Sequence, residues 1–288
     1  MRILITGAGG FLGRHLAIHL RDNNELIMTG RRWTEGSEEL DLCSDESVDR
    51  FIQNTQAGII DGLIHTSSKM MSTGLSNEEQ FDVLDSNIKI TRNVVKIIQK
   101  LKINTLINCS SMAVYPNKDG VYNEQSVIKM SHNSDCMYGL SKFCSENIFD
   151  YMLKDNYRVV NLRLAQIYGE DMREDRIIPS MKRSVETDNC IVLFGNGERI
   201  SSFIHVDDVC KVIEWLLARQ DVSGTYNLGG ENLSYLELAE RLIKRYGDSG
   251  TQIITKETGL RAKFILDSGR IEELLNSSNI VLKKVLME

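Results

Sequence analysis

Along the chain, short apolar runs alternate with stretches in which apolar residues recur every three or four positions. "RILIT" at the start has the continuous apolar character of a buried strand, and "GFLGRHLAIHLRD" after it has the spacing of an amphipathic helix. "ELIMT" predicts a second strand and "EELDL" a short third one, "DESVDRFIQNT" predicts a helix, and "DGLIHTS" a buried strand. A long helix is expected from about Asn77 to Lys100, followed by the strand "INTLINCSS". A second long helix covers about Asp135 to Asp155, followed by the strand "YRVVNLRLA". Strands alternating with helices of this length predict an α/β fold, with a parallel sheet covered on both faces.

Past Gln166 the pattern changes. The elements "CIVLF", "FIHV" and "GTYNLGG" are short, with the helices "DDVCKVIEWLLARQ" and "SYLELAERLIKRYG" among them, and "AKFILDSGRIEELL" reads as a strand and a short helix. Residues 1–165 are therefore expected to form the larger domain, with 203–228 returning to it. Residues 166–202 and 229–288 are expected to form a smaller, discontinuous part at the strand ends, where ligands of open parallel sheets bind.

Composition narrows the partners. The 288 residues are 42% apolar and 26% charged, with a net charge of −6 and scattered rather than striped Lys and Arg, which argues against nucleic acid. The six cysteines form no CxxC pattern and have no paired His spacing, so neither a disulfide framework nor a metal site is expected. "RILITG" reads as a strand rather than a leader, and no apolar run is long enough to span a bilayer. A cytoplasmic protein away from membranes is the expectation.

"ITGAGGFLG" joins the first strand to the first helix, with Gly7, Gly10 and Gly13 spaced G-x-x-G-x-x-G. Gly7 permits a tight turn, Gly10 lets the backbone approach a pyrophosphate, and Gly13 lets the helix pack closely on the strand. The helix N-terminus, at Phe11, Leu12 and Gly13, offers N–H groups and positive dipole to phosphate. This is a dinucleotide site on a Rossmann-type, doubly wound sheet. At the end of the second strand an acid would bind the ribose 2′-OH of NAD(H), and an arginine the 2′-phosphate of NADP(H). Thr29 and Gly30 are followed by Arg31 and Arg32, which favours NADP(H) over NAD(H). Asp41 and Leu42 are expected on the adenine side.

"MYGLSKF" carries Tyr138 and Lys142, which share a helix face at i and i+4. A free tyrosine ionises near pH 10, and a neighbouring ammonium favours its phenolate, which suits proton transfer. The order of "TGAGGFLG", "SSMAVYP" and "YGLSK" resembles the extended short-chain dehydrogenases/reductases. More narrowly, with "LRLAQIYG", "GNGERISSFIHVDDV" and "YNLGGENLSYLELAERL", the chain resembles the NAD-dependent epimerase/dehydratase family that modifies nucleotide-activated sugars.

That resemblance implies Tyr138 as general acid/base, Lys142 as its tuner and a cofactor ribose contact, and Ser111 rather than Ser110 as anchor of the reacting oxygen. It places Thr66, Ser67, Ser68, Asn87 and Ile167 on the cofactor, and Ser111, Met112, Gln166, Arg176 and Arg199 on the substrate, and it implies a homodimer through the two long helices. Three departures narrow the activity. Met112 and Ala113 stand where dehydratases carry an Asp-Glu pair, and Ala113 and Arg176 where GDP-fucose-synthase-like enzymes carry Cys and His. Ser201 stands where a diphosphate-binding Arg is usual, with Arg199, Arg176 or Arg183 as candidate replacements. The expected activity is reduction of a 4-keto nucleotide sugar. The alternatives are a 4-epimerase holding NAD tightly, action on another small carbonyl compound, and a silent dinucleotide sensor. His65 and His205 are expected to be structural, and no His set suggests a metal.

Overall fold

The computed structural model describes residues 1–32, 36–72, 74–278 and 280–286. β1 (Arg2–Thr6) leads into α1 (Phe11–Leu20), then β2 (Glu25–Gly30), β3 (Glu38–Glu39), α2 (Asp45–Asn54) and β4 (Gly62–His65). α3 (Asn77–Leu101), β5 (Thr105–Ser111), β6 (Gly120–Tyr122), α4 (Cys136–Met152) and β7 (Arg158–Leu164) follow. The rest is β8 (Gln166–Tyr168), α5 (Ile177–Asp188), β9 (Cys190–Phe194), β10 (Ile200–His205), α6 (Val206–Ala218) and β11 (Gly224–Leu228). The last elements are β12 (Glu231–Ser234), α7 (Tyr235–Tyr246), β13 (Gln252–Lys256), β14 (Phe264–Leu266) and α8 (Gly269–Leu275).

One sheet runs in the order β11-β7-β5-β4-β1-β2-β3. β1 pairs in parallel with β2 (Leu4 opposite Ile27) and with β4 (Leu4 opposite Leu63), so the chain order reverses at β1. That reversal is the switch point at which doubly wound sheets bind ligands, and it explains why the glycine turn after β1 matters. The expected third strand shrinks to Glu38–Glu39, beside Thr29 and Gly30, because Leu40 and Leu42 turn into the core instead of extending the edge. α3 begins with a capping box, Ser76 to the Glu79 N–H and Glu79 back to Ser76. It ends where Lys102 takes a left-handed conformation (φ 56°).

The chain divides into two compact units. The first comprises Met1–Pro116, Ile128–Arg163 and Cys210–Tyr226, and the second Asn117–Val127, Leu164–Val209 and the residues from Asn227 onward. This differs from the sequence division in two segments, besides the two-residue boundary shifts at 164–165 and 227–228. Residues 117–127 join the second unit because β6 pairs with β14. Residues 203–209 stay there because β10 pairs with β8 and β12, so the return to the first unit begins only at Cys210. The first unit's core joins Leu4, Leu63 and Leu106 of the sheet to Val94, Ile98 and Phe149 of its helices, and the second unit's gathers Phe203, Leu233, Leu238 and Met181. Among the described residues no helix is long and apolar enough to cross a membrane, and no cluster of His, Cys, Asp and Glu could hold a metal.

Candidate active site

Gly7 has φ 75°, and the Gly10 N–H donates to its carbonyl (2.9 Å), closing the turn between β1 and α1. A Cβ on Gly13 would lie 2.2 Å from the Gly7 carbonyl oxygen, and one on Gly7 would lie 2.8 Å from the Ser67 and Thr66 hydroxyls. Gly10 caps α1 without a side chain, and the first turn holds no acid. The opening N–H groups of a helix lack intrahelical acceptors, so the turn at Phe11 and Leu12 suits a phosphate, and the residues present fit a dinucleotide.

The residues around this turn divide into contacts and supports. Thr66 spends its hydroxyl on the Thr6 carbonyl (2.7 Å), and so props the loop. Ser67 and Ser68 are half-buried beside it. Asn87, which the resemblance makes a structural asparagine as well as a cofactor residue, has its amide engaged inside the protein. It accepts from the Lys69 N–H (2.7 Å) and donates to the Lys69 carbonyl (2.9 Å) and Ser141 Oγ (2.9 Å), so it ties the loop after β4 to α4. Ser141 in turn donates to the Tyr138 carbonyl (2.7 Å). Arg31 and Arg32 are exposed beyond β2. The Leu42 side chain is packed in the core, and its carbonyl accepts from Asn93, so only its backbone could face an adenine. The Asp41 carboxylate accepts from the Cys43 N–H (2.9 Å).

β5 and α4 bring Ser111, Tyr138 and Lys142 into one region of the first unit. Lys142, 4% exposed, donates its ammonium to the Cys109 carbonyl (2.8 Å), and lies 5.8 Å from the centroid of the Tyr138 ring. A Cβ on Gly139 would stand 2.1 Å from the Ala113 carbonyl oxygen. This explains the small residue after Tyr138: only glycine lets α4 lie this close to the 3₁₀ turn that follows Ser111. Asn133 holds the same turn by donating to the Ala113 (3.1 Å) and Tyr115 (2.7 Å) carbonyls. The two neighbouring serines are distinguished here. Ser110 is buried and donates to Glu146, whereas Ser111 is half-buried and accepts a local bond from the Ala113 N–H (3.1 Å).

Glu146, Arg163 and Tyr115 form a buried group beneath these residues that sequence reasoning missed. Its signals were present: Glu146 lies four residues past Lys142, and Arg163 interrupts the apolar run of β7. His65 is fully buried against Thr6 Oγ1 (2.8 Å), and loss of solvation, followed by the nearby Lys142 charge, pulls it down to about 3. Burial pushes the Cys109 thiol up to about 12, so it is inert at neutral pH.

In the second unit, Gln166 donates to the buried Ser201 hydroxyl (2.7 Å), so the two form a neutral pair. Arg199 lies two residues earlier, stacks 5.2 Å over the Tyr235 ring, and keeps a buried Nε without a hydrogen-bond partner. Arg176 caps the start of α5 and is half-exposed, and Arg183 pairs with Glu174 at 3.7 Å. Ile167 sits opposite Ile204 in the β8–β10 pair. His205 accepts from the Asp207 N–H (3.2 Å).

A glycine turn at a Rossmann switch point and a Ser-Tyr-Lys group on β5 and α4 define an extended short-chain dehydrogenase/reductase. The family model for the NAD dependent epimerase/dehydratase family matches residues 3–229, and the chain belongs to that family. It is 24% identical over 265 residues to dTDP-4-dehydro-6-deoxy-D-allose reductase of Streptomyces bikiniensis, covering 85% of this chain and 81% of that protein. It is 22% identical over 278 residues to dTDP-D-glucose 4,6-dehydratase of Dictyostelium discoideum, covering 84% of this chain but only 61% of that protein's length. Among solved structures, UDP-glucuronic acid 4-epimerase of Bacillus cereus, in complex with UDP-glucuronic acid and NAD, superposes with a TM-score of 0.80. Identity there is 23%, with 99% of this chain and 95% of that one covered.

Proposed function

We propose that this protein reduces a 4-keto nucleotide-activated sugar, with NADP(H) as the favoured cofactor. The observation that carries the reading is the placement of Ser111, free of the Glu146 bond that holds Ser110, in the same region as Tyr138 and the buried Lys142. When bound, the reduced nicotinamide supplies the hydride to the carbonyl carbon. Ser111 Oγ hydrogen-bonds the carbonyl oxygen, and Tyr138 donates its phenolic proton to it as the carbon is reduced. The Lys142 ammonium stabilises the phenolate left behind, which is reprotonated from solvent. Phe11, Leu12 and Gly13 would hold the pyrophosphate, Arg31 and Arg32 the adenosine phosphate, and Gln166 and Arg199 the substrate.

Met112 and Ala113 carry no proton-transfer group, which speaks against elimination of water. A 4-epimerase is the second reading, favoured by NAD in the solved relative. The test is to purify the protein, identify any bound nucleotide, and assay 4-keto sugar nucleotides with added NADPH. NADPH-dependent reduction is expected. Co-purified NAD with turnover of a 4-hydroxy sugar and no added cofactor would instead establish the epimerase. In either direction, Tyr138→Phe is expected to lower kcat about 10²- to 10⁴-fold while cofactor binding persists. Unchanged turnover in that variant would remove Tyr138 from the reaction.

We also propose a homodimer. A groove of about 400 Å³ between α3 and α4, lined by Leu84, Ile88, Leu140 and Cys144 together with Asp85, Lys89 and Arg92, is where a helical interface would sit.

A further inference from the structure

We propose that Glu146 and Arg163 are positioning residues, a buried ion pair that sets the spacing between Ser111 on the strand and Tyr138 and Lys142 on the helix. The proposal rests on the reading of those three as the reacting groups, and adds two residues that touch neither substrate nor cofactor.

Glu146 is four residues past Lys142 and eight past Tyr138, so all three lie along one face of α4. Its carboxylate is almost fully enclosed (2% exposed), as is the Arg163 guanidinium of β7 (4% exposed). Arg163 donates Nε to both carboxylate oxygens (3.1 and 3.2 Å) and Nη2 to Oε2 (2.7 Å). Its remaining reach goes to the Tyr115 hydroxyl, to which Nη1 donates (2.8 Å). The guanidinium also lies 5.1 Å from the Tyr115 ring centroid. Ser110 Oγ donates to Glu146 Oε1.

These contacts converge on the end of β5. Lys142 holds the carbonyl of Cys109, Glu146 holds the side chain of Ser110, and Ser111 is the next residue along. Tyr115, just past the 3₁₀ turn that follows Ser111, is held by Arg163. One carboxylate therefore fastens the helix that carries Tyr138 and Lys142 to the strand that carries Ser111. One guanidinium fastens the turn beyond it. The next turn of α4 repeats the arrangement: Asp150 accepts from Asn161 (3.0 Å), which accepts from Asn108 of β5 (2.9 Å).

Stability alone is a poor reason for such a pair. Desolvating two charges offsets most of their attraction, and apolar residues of similar volume often serve a core equally well. Geometry is a better reason, because fork-shaped bonds fix distance and angle where packed methyl groups allow sliding. Displacement of a reacting group by about 1 Å can lower a rate about 100-fold.

The test is the double variant Glu146→Leu/Arg163→Met, which removes both charges together so that neither is left buried alone. It is expected to fold, with NADPH affinity and sugar KM within about threefold of wild type and kcat lower by about 100-fold. Amide hydrogen exchange in residues 110–115 and 138–142 is expected to quicken at least about 10-fold, with β1 and β4 unchanged. A folded double variant with wild-type kcat, or with unchanged exchange in those segments, overturns the proposal. So does a parallel collapse of kcat, KM and cofactor affinity, which would signal general disruption. If the wild-type protein turns over no nucleotide sugar, the proposed reaction falls, and the exchange measurement alone decides whether the pair sets this geometry. If the double variant does not fold, Ser110→Ala decides. That variant is expected to lose about fivefold in kcat at unchanged KM, with faster exchange in residues 111–115. Unchanged kcat and exchange there would overturn the proposal.

Discussion

His65 shows how far one side chain can be read from sequence. Its place at the end of an apolar strand marks it as structural, but the consequence for stability needs the burial. A folded-state value of about 3 against an ordinary 6.5 means that the unfolded chain binds more protons between those pH values. Stability therefore rises with pH through that window, is fully present above about 6.5, and is lost on acidification at up to about 1.4 kcal/mol per pH unit. Urea denaturation at pH 6.5 and pH 5 is expected to show that loss, and His65→Asn is expected to flatten it even if the variant is weaker at neutral pH. An equal slope in both proteins would mean that other groups carry the acid sensitivity. Arg31 and Arg32 belong to the same scale. Both are exposed and follow a strand end without an acid, so their worth depends on what binds. Arg31→Ala/Arg32→Ala is expected to weaken NADPH about 10- to 100-fold, as loss of charge-assisted hydrogen bonds does, and NADH by less than about threefold. Calorimetric titration of both cofactors checks this, and equal weakening would end the proposed preference for NADP(H).

Elements meet where glycines permit it. Glycine inside a helix normally costs about 0.5–1 kcal/mol relative to alanine, so Gly139→Ala on an ordinary helix would stabilise the protein. In α4 the new Cβ would meet the Ala113 carbonyl at 2.1 Å and Met130 Sδ at 3.3 Å, so the helix must back away from the turn after Ser111. The expected outcome is a lower melting temperature and a kcat reduced about 100-fold, with cofactor affinity retained because the glycine turn at Gly7 is untouched. A raised melting temperature with normal kcat would show that the contact is slack. Asn87 extends the same logic between loop and helix: its amide links Lys69 to Ser141, and Ser141 links onward to the Tyr138 carbonyl. Sequence spacing locates α3 and α4 to within a few residues, but not what their inward polar residues bond to. Asn87 shares its face of α3 with Val83, Ile90 and Val94, and Glu146 shares its face of α4 with Tyr138 and Lys142, so the period turns both inward without naming a partner for either.

For the whole molecule, a parallel sheet follows from the alternation of strands and long helices, whereas its strand order and the division into units do not. Residues 117–127 have no apolar pattern that ties them to β14, and only the pairing of Gly120–Tyr122 with Phe264–Leu266 assigns them. Assembly belongs at this scale too. For the proposed homodimer, the wild type is expected to run as a dimer in light scattering and Ile88→Asp, in the groove between α3 and α4, as a monomer with a melting temperature within a few degrees. A variant that stays dimeric would move the interface elsewhere.

The sequence by itself determined the parallel α/β architecture, the dinucleotide turn at Gly7, Gly10 and Gly13, and the family to which Tyr138, Lys142 and Ser111 belong. Those features are local: hydrophobic period, backbone freedom and residue spacing act over a few positions and leave a direct mark on the chain. Only the tertiary structure decided that Ser110 is held by Glu146 while Ser111 is not, that the Asn87 amide bonds the loop after β4, and that Gln166 and Ser201 form a neutral pair. Each of these depends on which distant segment supplies a hydrogen-bond partner to a buried polar group. Residues 110 and 146 become neighbours only when α4 packs on β5, and residues 166 and 201 only when β8 pairs with β10.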